Sequence, residues 1–484
     1  MTEADTRQRA AQPAPGYDPE RAAAENTKAL VVGPYLTERA AVRAAQIARK
    51  SVDGREFVRD PGARILEAEG LARAIDLDVV GHETVMLTQI RPATFIGTGK
   101  VDDIAARVRE EDIGLVMVDC ALSPVQQRNL EKAFGAKVID RTGLILEIFG
   151  RRARTREGSL QVELAHLGYQ KSRLVRSWTH LERQRGGFGF LGGPGESQIE
   201  TDRRLIQERV IRIERELETV KKTRGLHRKQ RQDVPYPVVA LVGYTNAGKS
   251  TLFNRLTQAE VLAKDMLFAT LDPTLRAVRL PHGERIMLSD TVGFISDLPT
   301  QLVSAFRATL EEVISADVVL HVRDLSHEDT AAQSADVENI LEELGIEPHD
   351  PRIVEVWNKI DLLDDDRRMA LINAARRGPV RQRPFVVSAL TGEGVNDLLN
   401  GIEARLSANH TAFDLELPPE DGEGLSWLYA QTQIISREDS DDGMKLSVRV
   451  APERAERLLR RFPDARKSGP ERSTARRRGT SRGL

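Results

Sequence analysis

The sequence predicts an α/β protein of four successive folded units: a small α/β domain, a long antiparallel helical hairpin, a doubly wound parallel α/β domain and a small α+β domain. Three observations lead to this prediction. Apolar runs alternate with helical patterns in the first and third units, two long apolar stripes at helical spacing lie between them, and strand-like alternation returns near the C-terminal end. A chain of 484 residues has room for two to four domains.

The boundaries of the units are placed where the hydrophobic pattern changes. Both ends of the chain are polar and lack apolar periodicity, so we expect a disordered leader and a basic disordered tail. In chain order, the leader, the four units and the tail are predicted at residues 1–27, 28–150, 151–234, 235–406, 407–462 and 463–484.

The composition excludes several classes of protein. The chain contains 71 lysines and arginines against 73 aspartates and glutamates, a net charge of −2, and one cysteine, Cys120. A single cysteine cannot form an intrachain disulfide or a cysteine-based zinc site, which fits a reducing compartment. The sequence shows no secretory signal and no run of about 18 apolar residues that could span a bilayer. We therefore expect a cytoplasmic protein without an integral membrane segment.

The first unit alternates short apolar strands with helical segments, which is typical of an α/β domain. Strands are predicted at residues 29–32, 76–80, 115–118 and 137–139, and helices at residues 61–74, 101–111 and 124–134.

The second unit is predicted to be two antiparallel helices. Apolar residues recur at steps of three and four over residues 158–181 and again over residues 198–231, so each set lies on one helix face. The connecting loop, 183–197, contains six glycines and two phenylalanines. Two helices joined by a short connection are most simply a hairpin.

This hairpin is strongly basic, although the whole chain is almost neutral. Residues 151–232 contain 20 lysines and arginines against 10 acidic residues, a charge of +10, so the rest of the chain carries −12. Arginines and aromatic rings on a glycine-rich backbone suit stacking on unpaired bases and pairing with phosphates. We expect RNA contacts from four loop residues: Arg183, Arg185, Phe188 and Phe190. The basic tail is either an RNA-binding arm or a solubilising extension.

A phosphate-binding loop opens the third unit. The apolar run 238–242 leads into Gly243-Tyr244-Thr245-Asn246-Ala247-Gly248-Lys249-Ser250, and a helix follows. This order of strand, glycine-rich loop and helix lets backbone N–H groups surround phosphates, with Lys249 reaching the β- and γ-oxygens and Ser250 binding Mg²⁺.

Further elements follow in the order typical of a guanine-nucleotide site. They are Phe268-Ala269-Thr270-Leu271-Asp272, Asp290-Thr291-Val292-Gly293, Asn358-Lys359-Ile360-Asp361 and Ser388-Ala389-Leu390, the last three at the ends of buried strands. Thr270 is expected to close on Mg²⁺ when the γ-phosphate is present, Asp290 to hold the ion through water, and the Gly293 N–H to meet that phosphate.

Base selection is assigned to Asp361. Its carboxylate can accept from both N1–H and the 2-amino group of guanine, a donor pair that adenine lacks, while Asn358 and the Lys359 stem frame the base and the Ala389 N–H meets O6. These features predict a Mg²⁺-dependent GTPase, with GTP as substrate and with Lys249, Thr270 and Gly293 as its catalytic contacts.

One position departs from the pattern of Ras-like enzymes. Phe294 follows Gly293, where those enzymes carry the glutamine that orients the attacking water. A phenyl ring cannot do this, so we expect slow intrinsic turnover that depends on a partner or on another residue. Phe294 could equally pack in the core while another side chain positions the water.

The whole motif set resembles the HflX family of GTPases over about residues 28–462. The marks are the phosphate loop at 243–250, Phe-Ala-Thr-Leu-Asp-Pro-Thr at 268–274, Asp-Thr-Val-Gly-Phe-Ile at 290–295, Asn-Lys-Ile-Asp at 358–361 and the glycine-rich segment at 192–202. One departure is Arg323, which stands where a buried strand is expected to carry an apolar residue.

The resemblance implies a translation-related GTPase that binds the large ribosomal subunit and its rRNA near the peptidyl-transferase region. Some members of the family split stalled or heat-damaged ribosomes, so splitting or rescue is the expected outcome, by a monomer that associates with the ribosome. The resemblance also implies Mg²⁺ ligation by Ser250 and Thr270 and nucleotide contacts throughout 243–250, 268–272, 290–293, 358–361 and 388–390.

Two alternatives remain open from the sequence. The protein could act in assembly of ribosomal subunits or in RNA modification, on precursors rather than on intact ribosomes. It could instead be a regulatory switch in which the nucleotide gates association with a protein complex. The charge of the hairpin favours a nucleic-acid partner over the second alternative.

Overall fold

The fold is described from a computed structural model of the chain. The structure describes residues 27–37, 39–40, 59–184, 194–231, 236–258, 267–268, 270, 274–296, 298, 310–377, 379, 382–407, 411–440, 443–450 and 452–468.

The first unit is a four-stranded parallel sheet with helices on its faces. Its strand order is β2-β1-β3-β4, and β1 is central because its apolar run is buried on both faces. The elements are β1 (Lys28–Leu36), α1 (Pro61–Arg73), β2 (Asp78–Leu87), α2 (Thr98–Glu110), β3 (Leu115–Val118), α3 (Pro124–Phe134), β4 (Lys137–Asp140) and α4 (Arg141–Arg152).

Helix α4 is not among the predicted helices, and strand β2 is longer than the predicted strand 76–80. Helix α4 begins where Asp140 accepts a hydrogen bond from Gly143 N at 2.8 Å. Its residues Leu144, Ile145 and Ile148 are fully buried. The apolar stretch 144–149 is short and is interrupted only by Glu147, so it gives little periodic signal of a helix. Strand β2 extends to Leu87, because its outer half alternates buried and exposed residues beside the long β1.

The second unit is the helical hairpin, formed by α5 (Arg156–Gln184) and α6 (Pro194–Arg231). Leu160 packs against Ile213 and Leu217 across the pair. The Arg209–Glu163 ion pair at 2.6 Å and the Arg156–Glu216 pair at 3.0 Å show that the helices run antiparallel. Both helices extend into the predicted loop 183–197, since α5 ends at Gln184 and α6 begins at Pro194. Proline is favourable at the first position of a helix, where its backbone needs no N–H donor.

The third unit is a doubly wound sheet with strand order β10-β9-β8-β5-β7-β6. All neighbouring strands are parallel except β6, an edge strand that pairs antiparallel with β7. The elements are β5 (Val238–Gly243), α7 (Lys249–Thr257), β6 (Thr274–Arg279), β7 (Arg285–Asp290), β8 (Val318–Asp324), α8 (Thr330–Glu343), β9 (Ile353–Asn358), a 3-10 turn (Ile360–Leu362), α9 (Asp365–Arg377), β10 (Phe385–Val386) and α10 (Val395–Ser407).

Arg323 is the residue that stands where an apolar residue is expected in a buried strand. It lies on β8 and is only partly buried. Its guanidinium pairs with Glu355 of β9 at 3.0 Å. The neighbouring His321 is buried, and this burial, together with the charge of Arg323, lowers the pKa of its imidazole to about 4. His321 is therefore neutral at physiological pH.

The fourth unit is an antiparallel sheet with strand order β12-β13-β11-β14 and two helices. Gln431 ends a helix of this unit, and the next strand begins two residues later. The elements are β11 (Thr411–Leu417), α11 (Gly422–Gln431), β12 (Gln433–Ser440), β13 (Gly443–Val450), α12 (Pro452–Arg461) and β14 (Arg466–Lys467). The predicted α/β architecture with a small α+β unit is confirmed.

The first and third units share one apolar core. The rings of Phe149 and Phe268 meet edge to face, with centroids 4.7 Å apart and an angle of 76° between them. Phe294 and Ile295 belong to the same buried cluster. This packing places α4 beside the nucleotide-loop region. Within the described part of the chain, every helix is too short or too polar to cross a membrane.

Candidate nucleotide site

The phosphate loop connects β5 to α7 in the predicted order. Gly248 has φ of 91°, and a side-chain carbon on it would lie 2.2 Å from Asn358 Nδ2, so only glycine fits there. Lys249 is buried, and its Nζ donates to Tyr244 O at 2.7 Å. Burial and the charge of Lys359 lower the pKa of Lys249 to about 8, against the opposing effect of Asp290.

The three predicted magnesium ligands converge. Ser250 Oγ donates to Asp290 Oδ2 at 2.7 Å, Thr270 Oγ1 donates to the same oxygen at 2.8 Å, and the two hydroxyl oxygens are 3.0 Å apart. Burial raises the pKa of Asp290, although both hydroxyls and Lys249 lower it. Asp290 Oδ1 is buried without a hydrogen-bond partner among the described residues. Hard oxygen donors with an unused carboxylate oxygen fit Mg²⁺.

The segment after Asp290 lies directly on the phosphate loop. A side-chain carbon on Gly293 would lie 3.0 Å from Lys249 Nζ, which explains the glycine. The backbone of Phe294 donates to Gly243 O at 3.1 Å and accepts from Thr245 N at 2.7 Å. The Phe294 ring is only 1% exposed, so it packs in the core and cannot position a water molecule.

The base end of the site is held together by Asn358. Its Nδ2 donates to Ala247 O at 2.9 Å, and its Oδ1 accepts from Ala389 N at 2.9 Å. The Ala389 N–H is thus already engaged within the protein, so any contact with guanine O6 would share that hydrogen. Asp361 Oδ1, in contrast, is buried and unpaired among the described residues. It is an acceptor available for a ligand.

Several predicted contact residues face the protein interior rather than the site. Tyr244 points its ring toward the first unit, the Phe268 ring meets Phe149 edge to face, and Thr291 Oγ1 donates to Leu241 O at 2.5 Å. These positions, like Val292 and Ile360, could meet a nucleotide only through the main chain. Leu390 is exposed.

Some predicted residues cannot be compared with the structure. Ala269, Leu271 and Asp272 lie outside the described residues, as do the loop residues Arg185, Phe188 and Phe190. Arg183 belongs to α5, but its side chain is not among those described.

Two residues that support the site were not predicted. Asp324 pairs with Lys359 at 2.8 Å and thereby fixes the lysine stem. Its position at the end of β8, level with the other strand ends, is the signal that could have revealed it. Arg255 Nε donates to Ala389 O at 2.6 Å. No local pattern in the sequence indicates that contact.

Models of known protein families match the chain in the same order as its four units. Four family models match: "GTP-binding GTPase N-terminal" at 63–150, "GTP-binding GTPase Middle Region" at 152–231, "50S ribosome-binding GTPase" at 238–359 and "HflX C-terminal domain" at 373–472. A curated relative from Magnetococcus marinus named GTPase HflX is 52% identical over 398 residues, covering 82% of this chain and 90% of its own.

The chain belongs to the HflX family.

A second HflX relative, from Escherichia coli, is 46% identical over 399 residues, covering 82% of this chain and 92% of its own. Among solved structures, a GTP-binding protein from Sulfolobus solfataricus in complex with GDP matches at 22% identity and a TM-score of 0.40, covering 78% of this chain and 98% of that one. The resemblance inferred from the motifs is confirmed. This HflX-family chain is a GTP hydrolase with a P-loop GTPase domain.

Proposed function

We propose that this GTPase binds the large ribosomal subunit through its basic hairpin, near the peptidyl-transferase region, and hydrolyses GTP there to split or rescue stalled ribosomes. The observation that carries this proposal is the docking of the hairpin. Arg173 of α5 reaches Asp140 at 2.7 Å, and Tyr169 donates to the same carboxylate at 2.7 Å. The hairpin is thereby fixed to the unit that packs on the GTPase domain.

The hairpin presents cations to a partner. Arg203, Arg212 and Arg215 of α6 are exposed, and the segment 151–232 carries +10 in total. Such a surface favours phosphate contacts, whose affinity depends strongly on salt. The loop side chains Arg183, Arg185, Phe188 and Phe190 are proposed to contact unpaired rRNA bases. The match to a family described as a 50S ribosome-binding GTPase supports the same partner.

Within the nucleotide site, Lys249 is proposed to bind the β- and γ-phosphates and the Gly293 N–H to meet the γ-phosphate. Asp361 reads the guanine through its buried Oδ1, which has no hydrogen-bond partner within the described ranges. Asn358 holds the phosphate loop and the 388–390 loop at a fixed separation, so the base and phosphates are bound by parts that are already aligned.

Ser250 and Thr270 are proposed to hold Mg²⁺ directly and Asp290 through water, since their oxygens already converge. When bound, the ion supplies positive charge that stabilises the charge developing on the phosphate oxygens. The protein's own contribution is to keep these hydroxyls, Lys249 and the 293–296 backbone around one point.

The proposal is tested by steady-state GTP hydrolysis of the full chain alone, with purified large subunits and with intact ribosomes. We expect stimulation of about tenfold or more, on the scale that a partner-supplied positioning or charge contribution provides. The double variant Arg212→Glu/Arg215→Glu should lose most of the stimulation, and the stimulation should weaken with rising salt.

The matched control is Arg376→Glu/Arg377→Glu, which reverses two exposed arginines on α9 of the GTPase domain. It changes the net charge equally and should keep the stimulation. Absence of stimulation by any ribosomal particle, with basal turnover intact, would favour the regulatory switch. Co-sedimentation with precursor particles alone would favour a role in assembly or RNA modification.

A further inference from the structure

A largely buried polar cluster joins the first unit to the nucleotide loop. It consists of Arg59 and Glu67 of the first unit with Tyr244 and Ser296 of the GTPase domain. The Tyr244 hydroxyl donates to Glu67 Oε2 at 2.5 Å and accepts from Arg59 Nη1 at 2.9 Å and from Ser296 N at 2.9 Å. A phenol has one donor and two acceptor positions, so all three are used.

The bond to Ser296 is the third link between the 293–296 segment and the phosphate loop. The first two links are the backbone bonds of Phe294 to Gly243 and to Thr245. Any side chain at position 244 would leave those two in place. The third requires a hydroxyl at the distance that a tyrosine ring provides.

The first unit holds this hydroxyl in one orientation. Burial raises the pKa of Tyr244, so the phenol stays protonated and can donate at neutral pH. Burial alone would raise the pKa of Glu67, but the Arg141 charge and the bonds from Tyr244 and Arg141 lower it on balance, so the carboxylate is ionised. Arg141 also donates to Ser296 Oγ at 2.8 Å. Ser296 is therefore held through its N–H by Tyr244 and through its side chain by Arg141.

We propose that Tyr244 is a positioning residue for GTP hydrolysis. Through Ser296 N–H, its hydroxyl fixes the backbone that carries the Gly293 N–H, and Glu67 and Arg59 fix the hydroxyl. Because Phe294 is buried and cannot orient water, the alignment of this backbone is decisive for the γ-phosphate. The first unit therefore contributes to the geometry of the reaction. The inference rests on the proposed nucleotide site.

The test compares Tyr244→Phe with wild type in GTP hydrolysis without ribosomes, using the full chain. The variant keeps the ring and its stacking with Arg59, which lies 5.2 Å from the ring centroid. We expect kcat to fall fivefold or more, with KM and the affinity for GDP within twofold of wild type. A fall below fivefold, or a loss of GDP affinity, would overturn the proposal.

The matched control is Tyr35→Phe. Tyr35 is also buried, and its hydroxyl donates to a buried carboxylate, Asp119 Oδ2, at 2.8 Å, whereas among the described residues no direct hydrogen bond joins this hydroxyl to the GTPase domain. Its loss should destabilise the fold similarly while leaving kcat unchanged. Equal falls of kcat in both variants would show that lowered stability, not positioning, is responsible, and would overturn the proposal.

Hydrogen exchange gives a readout independent of activity. In Tyr244→Phe, a peptide spanning residues 291–298 should exchange its Ser296 amide faster, whereas Tyr35→Phe should leave it protected. Unchanged protection in Tyr244→Phe would refute the role of the hydroxyl. If Lys249→Ala retained normal GTP affinity, the nucleotide site itself would be misplaced, which is a separate failure.

Discussion

The residue that bears most directly on nucleotide choice is Asp361, because an unpaired carboxylate oxygen buried in a protein is costly unless a ligand completes it. Asp361→Asn replaces one acceptor with a donor and so mismatches the guanine N1–H and 2-amino group. We expect the affinity for GTP to fall by about 100-fold or more and that for XTP to rise, since a missing polar partner is strongly discriminated.

Competition binding of GTP and XTP measures this preference, with Asp366→Asn on the surface of α9 as the control. That variant should bind as wild type does. If Asp361→Asn still prefers GTP, a different residue reads the base.

The lowered pKa of Lys249 predicts that nucleotide binding depends on pH. Its pKa is lowered to about 8, mainly by burial, and phosphates would raise it again. The complex then holds more protons than the free protein, so affinity is greatest below pH 8 and decreases as the pH rises. Between pH 7 and 8.5 we expect the Kd for GDP to rise about fourfold.

Titration of GDP binding across this pH range provides the measurement. Lys249→Arg keeps its charge at every pH used, so its affinity, though weaker, should be flat. A flat profile in the wild type would mean that Lys249 is charged throughout, whereas a slope in Lys249→Arg would point to another titrating group.

At this scale, the sequence predicted the motif residues but not their partners. Short motifs with fixed spacing identified Lys249 and Asp361, because those roles depend on local backbone geometry. The contact of Asn358 with two loops, and of Tyr244 with Glu67, joins residues 31 to 177 positions apart. No local pattern encodes such pairs, so tertiary packing alone reveals them.

Among the elements, α4 and α5 depend on one carboxylate. Asp140 is 1% exposed, caps α4 and accepts from Tyr169 and Arg173 of α5. Asp140→Ala removes the cap and takes the carboxylate partner from Tyr169 and from the partly buried Arg173, which should cost about 3 kcal/mol. For a domain of this size, the expected fall in Tm is roughly 10 °C.

Calorimetry of the full chain measures this loss. The matched control is Asp329→Ala, since Asp329 also precedes a helix, α8, but its side chain makes no capping bond. Its Tm should change by less than about 2 °C, because a surface substitution away from such features costs little. Equal shifts in the two variants would assign the effect to helix polarity rather than to the contacts of Asp140.

Elements with a clear period were predicted well, and those without one were missed. The hairpin stripes show regular spacing, and the structure forms a long helix at each of them. In α4 the apolar stretch 144–149 is short and interrupted by Glu147, and the edge strand β6 has six residues. Stretches this short do not show whether the period is that of a helix or of a strand.

For the whole molecule, the sequence predicted the units in the correct order but not their packing. The apolar core shared by the first and third units involves Phe149 and Phe268, which belong to different predicted domains. Arg141 joins the same units through polar contacts with Glu67 and Ser296. Pattern analysis treats each domain separately, so an interface made of ordinary core residues leaves no sign in the sequence.

The contacts of Asp140 with Tyr169 and Arg173 affect how a force on α5 would be transmitted. Tyr169 lies 13 residues from Arg156 and 15 from Gln184, so α5 is gripped near its middle, with arms of about 20 and 22 Å. Toward Arg156 the helix is also held by Val162 and Ala165, which are buried in the core shared by the first and third units. A sideways pull at Gln184 would therefore act mainly on the contacts of Asp140. Arg141 follows Asp140 in the chain and donates to Ser296, so such a pull would be passed on to the 293–296 segment.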